Sequence, residues 1–124
     1  MKAQEFDELY GKVAQELRRG ILVLATLSQL KEAMYGYALI SSLADNGLEI
    51  EQGTLYPLLR RLESQELLKS EWNVDGSRPR RYYVISPTGL EMLAALTAEW
   101  RNLTTVMDRL LIISSTEGEN HESH

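Results

Sequence analysis

The stretch "EQGTLYPLLRRLESQELLKSEWNVDGSRPRRYYVISPTGLEML" changes its hydrophobic period twice within about forty residues, and few folds accommodate that. Leu55, Leu58, Leu59 and Leu62 fall at i, i+3, i+4 and i+7, the single apolar stripe of a helix packed on a core. Leu68, Ser70, Trp72 and Val74 then alternate with Lys69, Glu71 and Asn73, which is the two-residue period of a strand. Asp75-Gly76 signals a turn, "RRYYVI" is rich in strand formers, and Ser86-Pro87 reads as an N-cap followed by a first helical proline. A helix, a hairpin and a second helix therefore follow one another with little linker.

Before this stretch the pattern is helical. Phe6, Leu9, Val13 and Leu17 form one stripe, and Ile21, Leu24 and Leu27 continue it, as one long helix or two joined near Gly20. "MYGYALISSLADNG" gives a shorter helix, with Asn46-Gly47 as its stop because glycine accepts the left-handed conformation after a helix end. In the third helix Thr54 is expected to be the N-cap and Pro57 to lie in the first turn. At 100° per residue, Pro57, Arg60 and Ser64 point away from the leucines, with Tyr56 and Arg61 on the flanks. After the hairpin, Leu93, Leu96, Trp100, Leu103, Met107 and Leu110 are spaced 3, 4, 3, 4 and 3, a heptad seam suited to a partner helix.

This order predicts a mainly α fold with a small β-hairpin: a winged helix-turn-helix domain followed by a long C-terminal dimerisation helix. The expected boundaries are an N-terminal helix over 1–16, the winged domain over 17–86, the dimerisation helix over 87–113 and a disordered polar tail over 114–124. The third helix would enter a major groove and the hairpin would be the wing. Charge agrees with that placement. The chain carries a formal net charge of -5, yet residues 52–84 hold six Lys/Arg against four Asp/Glu. Local charge governs nucleic-acid contact, because salt screens beyond roughly 8–10 Å. Arg60 and Arg61 lie on the expected groove face, and Arg78, Arg80 and Arg81 lie on the wing. As strand neighbours, Arg80 and Arg81 face opposite sides, so one is expected to reach DNA while the other pairs with an acid or lies along the surface.

Three blocks, "YGYALISSL", "GTLYPLLRRLESQELLKSEW" and "GSRPRRYYVISPTGLEML", resemble the signature of the PadR family of bacterial transcriptional regulators. The similarity covers roughly residues 17–111 and is to the compact members with a single C-terminal helix. It implies a homodimeric repressor that binds a palindromic operator in double-stranded DNA and is released by a small hydrophobic, often aromatic, effector. By position, Thr54, Tyr56 and Pro57 match the start of the recognition helix, Arg60 and Arg61 its exposed face, and Arg78, Arg80 and Arg81 the wing. Tyr35 and Tyr37 match the aromatic lead into the second helix, which also approaches DNA; Tyr37 is counted among the DNA-binding residues. Tyr56 has two readings, a phosphate contact or packing on the domain. Phe6, Leu9, Leu96, Trp100, Leu103, Met107 and Leu110 form the expected dimer interface, and Trp100 has two readings, packing in that interface or, as the resemblance implies, contact with the effector. One departure is Gln65-Glu66 where the family often ends this helix with glycine.

Other classes fit poorly. Cysteine is absent, and His121 and His124 both fall in the tail, where the sequence supplies no further ligands for a metal. No glycine-rich phosphate loop follows a strand, so neither an enzyme nor a cofactor is expected. The longest strongly apolar run, Ile21 to Leu27, is too short to span a bilayer, and the N-terminus lacks an apolar signal core. A cytoplasmic protein is the expectation. The remaining alternative is a winged helix used only for protein–protein contact, which would call for an uncharged or acidic third-helix face and a wing without arginines.

Overall fold

The leucine stripes determine which helix faces turn inward. In a computed structural model, which describes residues 1–119 and side chains as far as Ile112, the chain folds as α1 (Ala3–Arg19), α2 (Leu22–Gln29), β1 (Met34–Tyr35), α3 (Gly36–Asp45), α4 (Gln52–Ser64), β2 (Leu68–Asn73), β3 (Arg80–Ile85) and α5 (Pro87–Glu119). It divides into two compact units, Met1–Leu93 and the residues from Ala94 onward. The first unit is a winged helix. Its core is built almost wholly of leucine: Leu22, Leu27 and Leu30 with α2, Leu39 and Leu43 from α3, and Leu55, Leu58, Leu59 and Leu62 from α4. Leu67, Leu68, Tyr83 and Ile85 close it from the sheet side. Each such side chain contributes roughly 1.5–3 kcal/mol on burial.

The hairpin gains a third strand that the sequence pattern does not reveal. The sheet is antiparallel in the order β1-β3-β2, with Tyr35 opposite Tyr82 and Trp72 opposite Arg81. Two residues are too few for alternation to register, and β1 exists because the outer edge of β3 offers unpaired backbone groups. The Ile85 N–H also donates to the Leu30 carbonyl at 2.7 Å, tying the end of β3 to the end of α2.

The N-terminal stripe breaks into two helices at Gly20 and Ile21, and α1 continues to Arg19, past the expected end at residue 16. Thr54 is not the N-cap of α4. The helix begins earlier, with Glu51 at the cap and its carbonyl accepting from the Thr54 and Leu55 amides, each at 3.0 Å. Pro57 consequently lies in the second turn rather than the first, where it cannot donate to the Gly53 carbonyl four residues back. Gly53 is exposed, so water can serve that oxygen and the helix tolerates the loss.

Helices α3 and α4 end in the same motif with different residues. After α3, the Leu48 N–H reaches Leu43 O at 2.8 Å and Gly47 N–H reaches Ala44 O at 2.9 Å. After α4, Leu67 N–H reaches Leu62 O and Glu66 N–H reaches Glu63 O, both at 2.9 Å. These are Schellman turns, each with a left-handed residue after the cap: Gly47 at φ 94° and Glu66 at φ 64°. Where the resemblance leads one to expect glycine, glutamate takes the strained position and the turn stays intact.

That turn also seats α5. Ser86 caps the helix as the sequence predicts, its Oγ accepting from the Gly89 N–H at 2.9 Å. The same hydroxyl donates to the Glu66 carbonyl at 2.7 Å, and the Ser86 N–H donates to the Leu67 carbonyl at 3.0 Å. Helix α5 runs through Glu119, beyond the expected end at residue 113. His121 and His124 lie outside the described residues.

Candidate nucleic-acid interface

Four buried leucines fix the rotation of α4 and thereby its outer face. Thr54, Pro57, Arg60, Arg61 and Ser64 are exposed. Among the described residues, Arg60 and Arg61 have no side-chain hydrogen bond or ion pair. A helix face carrying two guanidinium groups that pair with no carboxylate among the described residues attracts an anion. Tyr56 is half-buried and its ring presses on the start of α3. A β-carbon added at Gly36 would lie 2.6 Å from the Tyr56 hydroxyl, so glycine is what allows the approach. Packing is therefore a role Tyr56 plainly has.

The wing separates Arg80 from Arg81 by strand alternation. Arg81 turns toward α4, where its Nη2 meets Glu63 Oε1 at 2.9 Å and its Nε donates to Ser70 Oγ at 2.9 Å. Ser70 in turn donates to the other Glu63 oxygen at 2.5 Å, closing a three-residue network between α4, β2 and β3. The guanidinium also lies over Trp72 and Tyr83, at 5.7 and 5.6 Å. Arg81 is the arginine of the pair held by an acid.

Arg80 turns to the opposite face. Its guanidinium lies 4.8 Å above the Tyr35 ring, and its Nη1 donates to the Tyr37 hydroxyl at 3.2 Å. Tyr35 and Tyr37 stack at 5.9 Å with 5° between planes, while Tyr82 meets Tyr35 edge-on at 5.9 Å and 87°. Asn73 Nδ2 donates to the Tyr35 hydroxyl at 2.6 Å. This column ties the base of the wing to the first turn of α3. Tyr37 and Arg80, together with Gly76, Ser77 and Arg78, border an open cavity of about 440 Å³.

Tyr82 and Tyr83 are not neutral-pH switches. The hydrogen bond from Tyr82 to the Glu71 carboxylate, 2.7 Å long, raises its pKa above the ordinary 10.0 because ionisation would set two anions together. Burial raises that of Tyr83, with Arg81 opposing. Both phenols stay protonated through the physiological range.

Arg60 and Arg61, expected on the outer face of the third helix, and Arg78 and Arg80, expected on the wing, are exposed; Tyr37, expected near DNA only from the resemblance, is exposed too and borders one cavity with Arg78 and Arg80. Sequence reasoning missed Glu63 and Ser70 as the partners of Arg81. Strand alternation put Ser70 and Arg81 each on some face, but only the register of β2 against β3 puts them on the same one.

Two apolar stripes remain uncovered, one in each unit. On α1 only Ala14 is buried, while Phe6, Leu9, Tyr10, Val13 and Leu17 are exposed, with Phe6 and Tyr10 stacked at 6.4 Å. On α5, Leu96 is half-buried, and Trp100, Leu103, Met107 and Leu110 are 42 to 54% exposed. Among the described residues no helix is long and apolar enough to cross a membrane, and no cluster of three metal-ligating side chains occurs.

Residues 23–95 match the family described as "Transcriptional regulator PadR-like family". A transcriptional regulator of Mycobacterium tuberculosis is 40% identical over 78 residues, covering 63% of this chain and 70% of that protein. The crystal structure of a PadR family transcriptional regulator from Eggerthella lenta superposes with a TM-score of 0.83 at 51% identity, covering 88% of this chain and 97% of the other. A PadR-like transcriptional regulator from Bacillus cereus gives a TM-score of 0.69 at 30% identity, covering 77% and 96%.

Proposed function

The chain belongs to the PadR-like family of transcriptional regulators, DNA-binding proteins rather than enzymes, and from that premise we propose that it acts as a homodimeric repressor on a palindromic operator. The observation that carries this reading is the face of α4, which buries its leucines and leaves Arg60 and Arg61 exposed, with no ion-pair partner among the described residues. In this reading α4 is the recognition helix. Its outer side chains Thr54, Pro57, Arg60 and Arg61 enter the major groove, and Tyr56 borders that groove from its packed position. Tyr37, Arg78 and Arg80 hold the backbone beside it. Phosphate contacts set register, and contacts to base edges on α4 supply sequence preference.

Dimerisation is supported by the two uncovered stripes. Apolar side chains repeating at heptad spacing along α5 gain most of their burial free energy from a second helix of the same kind. Phe6 and Leu9 on α1 add a second surface of the same character. Two-fold symmetry would place one recognition helix in each of two successive major grooves, about 34 Å apart. Trp100 lies within the α5 stripe and offers a flat apolar plate to a small hydrophobic effector. Such a ligand releases DNA only by as much as its affinities for the bound and released dimer differ.

The test is a fluorescence-anisotropy titration of a labelled duplex from the DNA immediately upstream of the protein's own coding region, at several salt concentrations, against a scrambled duplex. Selective, salt-dependent binding is expected, weakened by Arg60→Ala. No binding at low salt would remove the DNA-binding reading and leave a protein-contact module in its place.

A further inference from the structure

Arg80 and Arg81 are adjacent in sequence and identical in chemistry, yet the structure gives them unlike surroundings. The charge of Arg81 is met by Glu63, and its Nε and Nη2 donors are occupied within the network to Glu63 and Ser70. Among the described residues Arg80 meets no carboxylate. It spends one donor on Tyr37, stacks on Tyr35, and keeps its full positive charge beside an open cavity of about 440 Å³. A guanidinium carries five N–H donors in a fixed plane, so most remain available. The Tyr37 hydroxyl accepts from Arg80, which leaves its own proton free to donate outward.

The cavity has the chemistry of an anion site. Its lining is Tyr37, Gly76, Ser77, Arg78 and Arg80, two guanidinium groups and a phenol among small loop residues, with no carboxylate. Asp75, the acid next in sequence to the lining, instead borders a separate cavity with Tyr35, Trp72 and Tyr82. The loop is anchored at its start, because Asn73 accepts from the Asp75 N–H at 2.9 Å while donating to the Tyr35 hydroxyl. One asparagine thus fixes the loop that forms the lip and the ring that supports Arg80.

We propose that Arg80, and not Arg81, is the wing's ligand for a DNA backbone phosphate, bound in the notch between the first turn of α3 and the wing loop with Tyr37 and Arg78. Tyr35 is a positioning residue: its ring holds the Arg80 guanidinium flat and aimed, and touches no DNA. Arg81 is the brace that fixes the wing to α4. This assignment deepens the DNA-binding reading and rests on it.

The experiment uses the full-length protein and the labelled upstream duplex, with the binding constant followed against salt. Removing one phosphate contact lowers the slope of log K against log salt by about one unit. Arg80→Ala is expected to show that drop, with affinity reduced on the order of tenfold. Arg81→Gln is expected to lower the thermal midpoint and keep the wild-type slope. Tyr35→Leu is expected to weaken binding several-fold at an unchanged slope, Tyr35→Phe, which keeps the ring and loses only the Asn73 hydrogen bond, to restore most of it, and Tyr35→Leu to cost nothing further in an Arg80→Ala background. A wild-type protein that binds no duplex removes the DNA-binding reading and the notch with it. Wild-type binding with a slope unaltered by Arg80→Ala overturns the notch alone, as does an equal drop in slope from Arg81→Gln. Tyr35→Leu losing as much affinity with Arg80 absent would reduce Tyr35 to a structural residue.

Discussion

Glu66 occupies a conformation that suits glycine. At φ 64° a β-carbon crowds the following carbonyl, at a cost of roughly 1–2 kcal/mol that glycine does not bear. Its side chain is exposed and makes no hydrogen bond among the described residues, so substitution sacrifices no contact. Glu66→Gly is expected to raise stability by about 1 kcal/mol, after the extra freedom of glycine in the unfolded chain is subtracted. Thermal denaturation checks it, with a shift of a few degrees upward expected. Thr26 is the second residue at odds with its surroundings. It is fully buried in α2 and its hydroxyl has no partner among the described residues. Thr26→Val keeps the shape, removes the stranded hydroxyl, and is expected to stabilise by about 1 kcal/mol in a denaturant titration. Both changes improve on the native residue, and neither is visible in a pattern of apolar spacing.

At the scale of elements, the decisive feature is the joint between the end of α4 and the start of α5. The Schellman turn presents the carbonyls of Glu66 and Leu67, and Ser86 takes both. Gly89 lies so close that an added β-carbon would collide with the Leu67 carbonyl and come within 2.6 Å of Ile85. Backbone cannot yield as a side-chain tip can. Gly89→Ala is therefore expected to destabilise by roughly 1–3 kcal/mol despite alanine's better helix propensity. Gly53, in the first turn of α4, has open space where its β-carbon would go. Gly53→Ala is expected to change stability in the opposite direction, by up to about 1 kcal/mol, because propensity then acts alone. Chemical denaturation of the two variants side by side checks the pair; equal signs would show that packing at the joint is not what the glycine serves.

At the scale of the whole molecule, the uncovered stripes on α1 and α5 matter most. Leu103 and Leu110 are each about half exposed in the single chain. Replacing both by Asp places like charges along the seam, which an isolated chain tolerates and a helix pair does not. The double variant is expected to sediment as a monomer, to retain its helical circular dichroism, and to lose operator binding with the second recognition helix. A variant that still sediments as a dimer would place the interface elsewhere. Single-site binding by a monomeric wild type would remove the palindromic operator from the proposal.

The sequence by itself located the helical stretches, the hairpin, the Ser86 cap and the Gly47 stop, because each rests on a local period or a local backbone preference, but it left open whether the first stripe makes one helix or two. It also identified which side of α4 is polar, since four leucines set a helix's rotation wherever it packs. It did not place the cap of α4, because Thr54 and Glu51 are both polar and only the packed chain path chose between them. It did not contain β1, which two residues cannot announce and which forms only against the edge of β3. Nor could it divide Arg80 from Arg81. Alternation says that they face opposite ways, but which way depends on the register of β2 against β3 and on Glu63, eighteen positions earlier on another element. Local periods are written in the chain; partners far apart in sequence are chosen by the core that brings their elements together.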